Sequence, residues 1–352
     1  MSTGTRYALA FGVPLAATFL LTPLAARFAR NMGMIDHPKA GRFHRTATPY
    51  LGGLAVAVGL LPATITTGAS AQILTILVGA LAMAGLGLVD DARRVGPVVK
   101  LLVESTAGLA LWVAGVRAGF FGVPALDMVL TVVWVVAVVN AVNMLDNMDG
   151  VTSVVVALSA LGFAAIAADR DEYLVGSLAL AVAGASIGFL RHNFPPAKIF
   201  LGDAGTLMMG FLLASLGLKL DLVGPTNAMR AVIPALLLGV PMFDMVLVVW
   251  TRIRDHQPFY VGGTDHAAHR LAARGASRRR VVLAASVTQT ACTVLAFWLS
   301  RASDRATLVA AVACGGAALV AWALFVRMHT LTVIVTPPEG GVAPDGSLVT
   351  IP

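Results

Sequence analysis

Three short segments of this chain put carboxylates and amides where long apolar runs begin or end. Asp90-Asp91 closes one run. Asn140-Ala-Val-Asn143-Met-Leu-Asp146-Asn147-Met-Asp149-Gly150 closes another, and Phe200-Leu-Gly202-Asp203-Ala-Gly205 precedes a third. Adjacent carboxylates repel, so Asp90 and Asp91 call for a cation or a shared proton. The competing reading is a solvated helix end paired with Arg93 and Arg94. Asn140, Asn143, Asp146 and Asp149 recur in steps of three and would line one side of a helix, where amides and carboxylates need partners. A polar seam between packed helices would satisfy them. A nucleotide or metal site suits them better, because the polar face continues into the following loop. Around Asp203, the glycines permit close backbone approach and free N–H groups at a helix start favour phosphate. Asp is also an ordinary N-cap. Upstream, Asn193-Phe194-Pro195-Pro196 and Lys198 form a rigid, basic connector.

A fourth segment, Asp265-His266-Ala-Ala-His269-Arg270-Leu271, lies in the longest polar loop, about residues 251–280. Its i, i+3 spacing puts His266 and His269 on one helical face beside Arg270, suited to grip a diphosphate or sugar. Zinc is disfavoured, since no third ligand stands at a recognisable spacing. The first loop (Asp36-His37-Pro38, Gly41-Arg42-Phe43-His44, Pro49, Gly52-Gly53) adds Arg and His. Asp244 and Glu104 lie in or near apolar runs without an evident partner, and an intramembrane carboxylate is a functional candidate. For Asp244, holding a site residue from behind or packing helices is as good a reading as a direct role.

The elements that carry these segments are set by composition. The chain of 352 residues is 58% hydrophobic and 12% charged, with mean hydropathy +0.84. That excludes an ordinary soluble domain and indicates an all-α polytopic membrane protein. Runs of roughly 20 apolar residues can cross a bilayer. About eleven candidates fall at 7–26, 51–68, 72–89, 100–116, 126–143, 151–168, 174–190, 205–221, 230–250, 281–300 and 307–326. The first lacks a basic start and a small-residue cleavage site, so it reads as a retained span and not a signal peptide. With the N-terminus outside and the C-terminus inside, 18 of the 25 Lys and Arg fall in cytoplasmic segments, as the positive-inside rule requires. The same choice brings every Asp motif to the cytoplasmic face, although the motifs were not used to make it. Asp169, Asp171, Glu172, Asp221 and Asp304 fall outside as ordinary loop residues. The net charge of +7 reflects this asymmetry and is no sign of nucleic-acid binding. Residues 1–336 read as one membrane domain and 337–352 as a loosely held tail. Cys292 and Cys314 read as small packing residues.

In this order the motifs resemble the polyprenyl-phosphate N-acetylhexosamine-1-phosphate transferases, over about residues 36–271. The histidine loop is similar to that of the GlcNAc-1-phosphate branch and lacks the triple-His stretch of the phospho-MurNAc-pentapeptide translocases. Ala268 stands where that branch usually has His, Asn147 where Gly is usual, and Phe43 where Lys is common. The resemblance implies transfer of a sugar-1-phosphate from a UDP-sugar to a polyprenyl phosphate in the membrane lipid, with release of UMP. It implies Mg2+, or Mn2+, with Asp203 and Asp91 as metal ligands and Asp90 and Asp91 acting on the lipid phosphate. Asp146, Asp149, Asn140, Asn143 and Asn193 would hold the nucleotide, with Phe200 stacked on uracil. Arg94, Lys100, His44, His266, His269 and Arg270 would contact phosphates or sugar. A homodimer is compatible with this plan. The rival readings are the muramyl-pentapeptide transferase, a transporter, and an inactive scaffold relative. Transporter sites lie near the midplane within internal repeats, whereas these polar clusters sit at one surface and no repeat is found.

Overall fold

The computed structural model describes residues 2–37, 47–62, 70–222, 227–258 and 263–328. His44, Arg42, Phe43 and the tail 337–352 lie outside these residues. The chain is a bundle of helices: α1 (Thr3–Asn31), α2 (Gly52–Leu60), α3 (Ala71–Ala92), α4 (Pro97–Val113), α5 (Pro124–Leu145), α6 (Val151–Asp169), α7 (Tyr173–Asn193), α8 (Gly202–Lys219), α9 (Asn227–Leu237), α10 (Gly239–Arg254), α11 (Ala267–Ala273), α12 (Arg278–Leu299) and α13 (Asp304–Val326). Seven of these are long and apolar enough to cross a membrane, or eight if α9 and α10 count as one broken span. Their starts follow the usual signals. Ser2, Ser70, Ser277 and Ser303 cap α1, α3, α12 and α13 by accepting a backbone N–H with the side chain, and Pro97 and Pro124 open α4 and α5.

The middle of the bundle is α8. Every residue from Ala204 to Leu216 is buried, so this helix is apolar on all sides because protein surrounds it. Helix α3 and helix α5 pack against it, α4 packs against α5, and α1 and α6 flank α7. Because consecutive helices run in opposite directions, the C-termini of α3, α5 and α7 meet the N-termini of α4, α6 and α8 at one end. A two-stranded antiparallel patch, β1 (Ile35–Asp36) and β2 (Thr48–Pro49), lies at that end with Ile35 opposite Pro49. The backbone ties this patch to the start of α8: Phe200 N–H donates to Pro49 O at 2.9 Å, Gly52 N–H to Phe200 O at 3.0 Å, and Gly53 N–H to Leu201 O at 2.7 Å.

The run 230–250, read from sequence as one span, bends by 86° between α9 and α10. Pro241 is the cause. It has no N–H to donate, and its ring would clash with the carbonyl of Leu237 in a continuous helix. Gln289 of α12 mends the break, donating from Nε2 to Leu237 O (2.9 Å) and accepting the Val240 N–H (3.2 Å). A freed backbone group at membrane depth needs such a partner.

Candidate active site

Asp90 and Asp91 end α3, and a close approach of helices delivers them to Asp203. At Gly87, one turn earlier, a Cβ would stand 2.3 Å from the Asp203 carbonyl, so only glycine lets α3 lie this close to α8. Asp91 then receives the first backbone N–H groups of α8, accepting Asp203 N–H on Oδ1 (2.9 Å) and Ala204 N–H on Oδ2 (3.2 Å). The left-handed backbone of Gly202 (φ +72°) turns the chain into this cap. Asp90 accepts the Val95 N–H at 2.5 Å, which closes the turn into α4. Lys100 on α4 bridges the other two carboxylates, with Nζ 2.5 Å from Asp90 Oδ2 and 2.8 Å from Asp203 Oδ2. The Asp90 partner is thus Lys100, where the sequence suggested Arg93 or Arg94; both arginines are exposed.

Asp146 lies just past the end of α5, facing the same cluster. Burial pushes its carboxyl up to about 7, and the charges of Asp203 and Asp91 add to the effect. Burial also raises Asp203, as does the neighbouring Asp90, while Lys100 opposes the rise. Four carboxylates therefore share one end of the bundle with Lys100 among them, an excess of negative charge that favours a further cation.

Among the described residues no group of three or more His, Cys, Asp or Glu side chains stands ready to enclose a metal ion. The donor set fits Mg2+ in its common form, where one or two carboxylates hold the ion and substrate phosphates supply the remaining oxygens. Asp203 and Asp90 present such a pair. Asp91, expected as a ligand, has each oxygen on a backbone N–H and first of all fixes the start of α8.

The 140–150 segment does not line a single helical side, because α5 ends at Leu145. Asn143 Nδ2 donates to Thr206 Oγ1 of α8 at 2.8 Å. Asn140 is turned into the bundle, donating from Nδ2 to Glu104 Oε2 (2.6 Å) and Val136 O (2.9 Å). Asp149 is buried and accepts Ala197 N–H (3.1 Å) and Arg278 (2.9 Å). Asn193 is buried too, accepting from Gly150 N–H (2.9 Å) and Ser153 Oγ (3.2 Å) and donating to Ile199 O (3.0 Å). Asn140, Asp149 and Asn193, expected at the nucleotide, make the wall on which the loops rest. Asn147 needs no glycine-like backbone; its Nδ2 donates to Met144 O at 3.2 Å, and Gly150 is the residue with positive φ. Phe200 is half-buried on the loop leading to α8.

The histidine loop is held from two sides. Asp244 of α10 accepts the Ala267 N–H (2.7 Å) on one oxygen and meets His266 Nδ1 (2.7 Å) with the other. Asp265 pairs with Arg252 at 3.1 Å. Arg270, 1% exposed, donates to Asp265 O (2.8 Å), Phe325 O (2.9 Å), Met328 O (2.8 Å) and Thr251 Oγ1 (3.0 Å). Its guanidinium therefore clamps the loop to the ends of α10 and α13, where the sequence suggested a substrate contact. Burial, with His266 beside it, pushes His269 down to about 4, so it is neutral at pH 7 and the loop is not the cationic face expected. Ala268 is buried in an apolar cluster with Leu145, Met148, Val151, Val155, Val281 and Val282. Sequence reasoning singled out Asp244 with a supporting role among its readings but did not name His266 as what it holds, and it missed Arg278 as the partner of Asp149. The isolated carboxylate in the apolar run of α10 was the available signal for the first.

These features define a multi-pass membrane protein with a carboxylate cluster at one end of a helical bundle. Residues 73–221 match glycosyl transferase family 4. The probable undecaprenyl-phosphate N-acetylglucosaminyl 1-phosphate transferase of Bacillus subtilis is 32% identical over 289 residues, covering 79% of this chain and 80% of the relative. The decaprenyl-phosphate N-acetylglucosaminephosphotransferase of Mycobacterium leprae is 28% identical over 76% of this chain and 77% of its own length. A phospho-N-acetylmuramoyl-pentapeptide-transferase of Lactiplantibacillus plantarum is 28% identical over 57% of this chain and 72% of its own. The chain belongs to glycosyl transferase family 4, the group its motifs resemble.

Proposed function

We propose that this protein transfers GlcNAc-1-phosphate from UDP-GlcNAc to a polyprenyl phosphate in a bacterial plasma membrane, releasing UMP and starting a cell-envelope polysaccharide on its lipid carrier. The observation that carries the reading is the cluster of Asp90, Asp91, Asp146 and Asp203 around Lys100, at the end of an apolar bundle. A lipid-borne phosphate and a water-borne nucleotide can meet there. In the reaction an oxygen of the lipid phosphate bonds to the β-phosphorus of the donor, and the bond from that phosphorus to the oxygen bridging it to the α-phosphorus breaks, so UMP carries away the electron pair. Both reactants are anionic, and Mg2+ held by Asp203 with Asp90 would neutralise phosphate charge. Asp91 occupies the Asp203 and Ala204 N–H groups and so fixes the helix start that presents Asp203. Asn143 and Asp146 would hold the nucleotide, with Phe200 for the base. Similarity to the undecaprenyl and decaprenyl relatives supports GlcNAc as the sugar.

In this reading the apolar runs at 51–68, 100–116 and 205–221, which carry α2, α4 and α8, join the seven long helices and the bent pair to give eleven crossings, with the N-terminus outside and the cluster cytoplasmic. Supplying purified protein and polyprenyl phosphate with UDP-GlcNAc, UDP-GalNAc or UDP-MurNAc-pentapeptide in turn tests the assignment. UMP should appear with UDP-GlcNAc or its close epimer. Robust turnover with the muramyl donor and none with UDP-GlcNAc would move the chain to the peptidoglycan branch.

A further inference from the structure

Glu104 lies one turn beyond Lys100 on α4 and is fully buried. Its Oε2 accepts from Asn140 Nδ2 at 2.6 Å, while Oε1 has no hydrogen-bond partner among the described residues. Neither protonation state repairs this. An ionised Glu104 leaves charge in an apolar wall, and a protonated one leaves a polar atom without a partner. A missing partner on a seam that is otherwise bonded suggests a group that sits elsewhere in this state. Lys100 is the single basic residue of α4, and the i, i+4 spacing puts it on the same face as Glu104. Here its ammonium sits on Asp90 and Asp203. The first turn of a helix is a poor place for a cation, because the helix dipole is positive there. The two carboxylates are what hold it.

We propose that Glu104 is the alternate counter-ion of Lys100. When a divalent cation and phosphates take over Asp90 and Asp203, the ammonium withdraws along α4 onto Glu104 Oε1, and it returns when they leave. Lys100 thus stands in for the cation between turnovers, and Glu104 is the positioning residue that lets it step aside. The inference rests on the reading of Asp90 and Asp203 as the cation and phosphate site.

A double-mutant cycle on thermal unfolding of the purified full chain tests it, using Lys100→Gln, Glu104→Gln and the double variant. Glu104→Gln keeps an oxygen to accept from Asn140. Without ligand, the two shifts in melting temperature should add. With Mg2+ and polyprenyl phosphate they should not, the double variant losing less than the two single variants together. Additive shifts in every condition, or equal coupling with and without ligand, would overturn the proposal. Mg2+ titration of Glu104→Gln should show roughly tenfold weaker binding, and unchanged binding would also count against it. If a Gln variant fails to fold, the Mg2+ titration is made on Glu104→Asp, whose shorter side chain should reach the ammonium less well and weaken binding, and unchanged binding there would overturn the proposal. Because neither readout is turnover, the switch can fail while UMP release succeeds, or stand while the transferase reading falls.

Discussion

Arg270→Ala should damage the protein by freeing the histidine loop, and should do so before it affects affinity for the donor. The side chain is 1% exposed and makes four hydrogen bonds, three of them to backbone carbonyls of Asp265, Phe325 and Met328. Each buried acceptor left without its donor costs about 1–3 kcal/mol, so three orphaned carbonyls cost about 3–5 kcal/mol once the loop relaxes toward water. At 1.36 kcal/mol per factor of ten, that is roughly two to four orders of magnitude in the ratio of docked to undocked loop. Arg270→Lys should recover only part of this, since one ammonium cannot reproduce the planar fork. Limited proteolysis between α10 and α12, together with thermal unfolding, reads the loss directly. The expected result is faster cleavage and a lower unfolding temperature, with kcat falling while the KM for UDP-GlcNAc changes little in the molecules that stay folded. Wild-type stability and proteolysis with a KM raised tenfold or more would refute the clamp and return Arg270 to the substrate.

Asp203→Asn should abolish turnover and leave the protein folded in detergent; a variant keeping a tenth or more of the wild-type rate at saturating Mg2+ would remove Asp203 as the principal ligand. Asp146, raised from 3.8 to about 7, binds its proton more tightly in the folded state. Its contribution to stability is therefore full below about pH 4 and is lost as pH rises through about 7. Without divalent cation the unfolding temperature should fall over that window; Mg2+ should bind more tightly as pH rises, and Asp146→Asn should flatten both trends. Ala268→His should lower stability without improving turnover, because the position is packed against Leu145, Met148 and Val281 and overpacking a filled core typically costs about 1–3 kcal/mol; a faster enzyme of unchanged stability would contradict this. In intact cells carrying a chain without Cys292 and Cys314, an impermeant thiol reagent should label a Cys at Arg170 or Ser303 and spare one at Ala92 or Thr264, and the reverse would overturn the orientation.

Much of the site was visible in sequence because its members stand out against apolar surroundings. Asp90-Asp91 and Gly202-Asp203 could be picked as helix-end carboxylates without knowing that α3 crosses the start of α8. The same contrast did not show what each polar group faces. Asn140, Asp149 and Asn193 have the residue types of a nucleotide site, yet their partners are Glu104, Arg278 and the Gly150 N–H. Those partners come from chain segments 36 to 129 residues away, and no local period encodes them. The histidine loop misled in the same way. His269 and Arg270 carry basic side chains, but burial neutralises the first and backbone carbonyls occupy the second. The bend at Leu238 had a visible cause in Pro241, whereas its repair by Gln289 depends on a helix about 50 residues further along.

The most direct measurement follows the β-phosphorus of the donor. Purified protein in detergent, given Mg2+, polyprenyl phosphate and UDP-GlcNAc labelled at that phosphorus, should pass the label into the lipid phase and leave UMP in the water phase. Release should stop when the lipid phosphate or the Mg2+ is withheld. Label left in the water phase as UDP, with sugar alone reaching the lipid, would contradict phosphate transfer at the Asp90–Lys100–Asp203 cluster, and so would UMP release that needs no lipid phosphate.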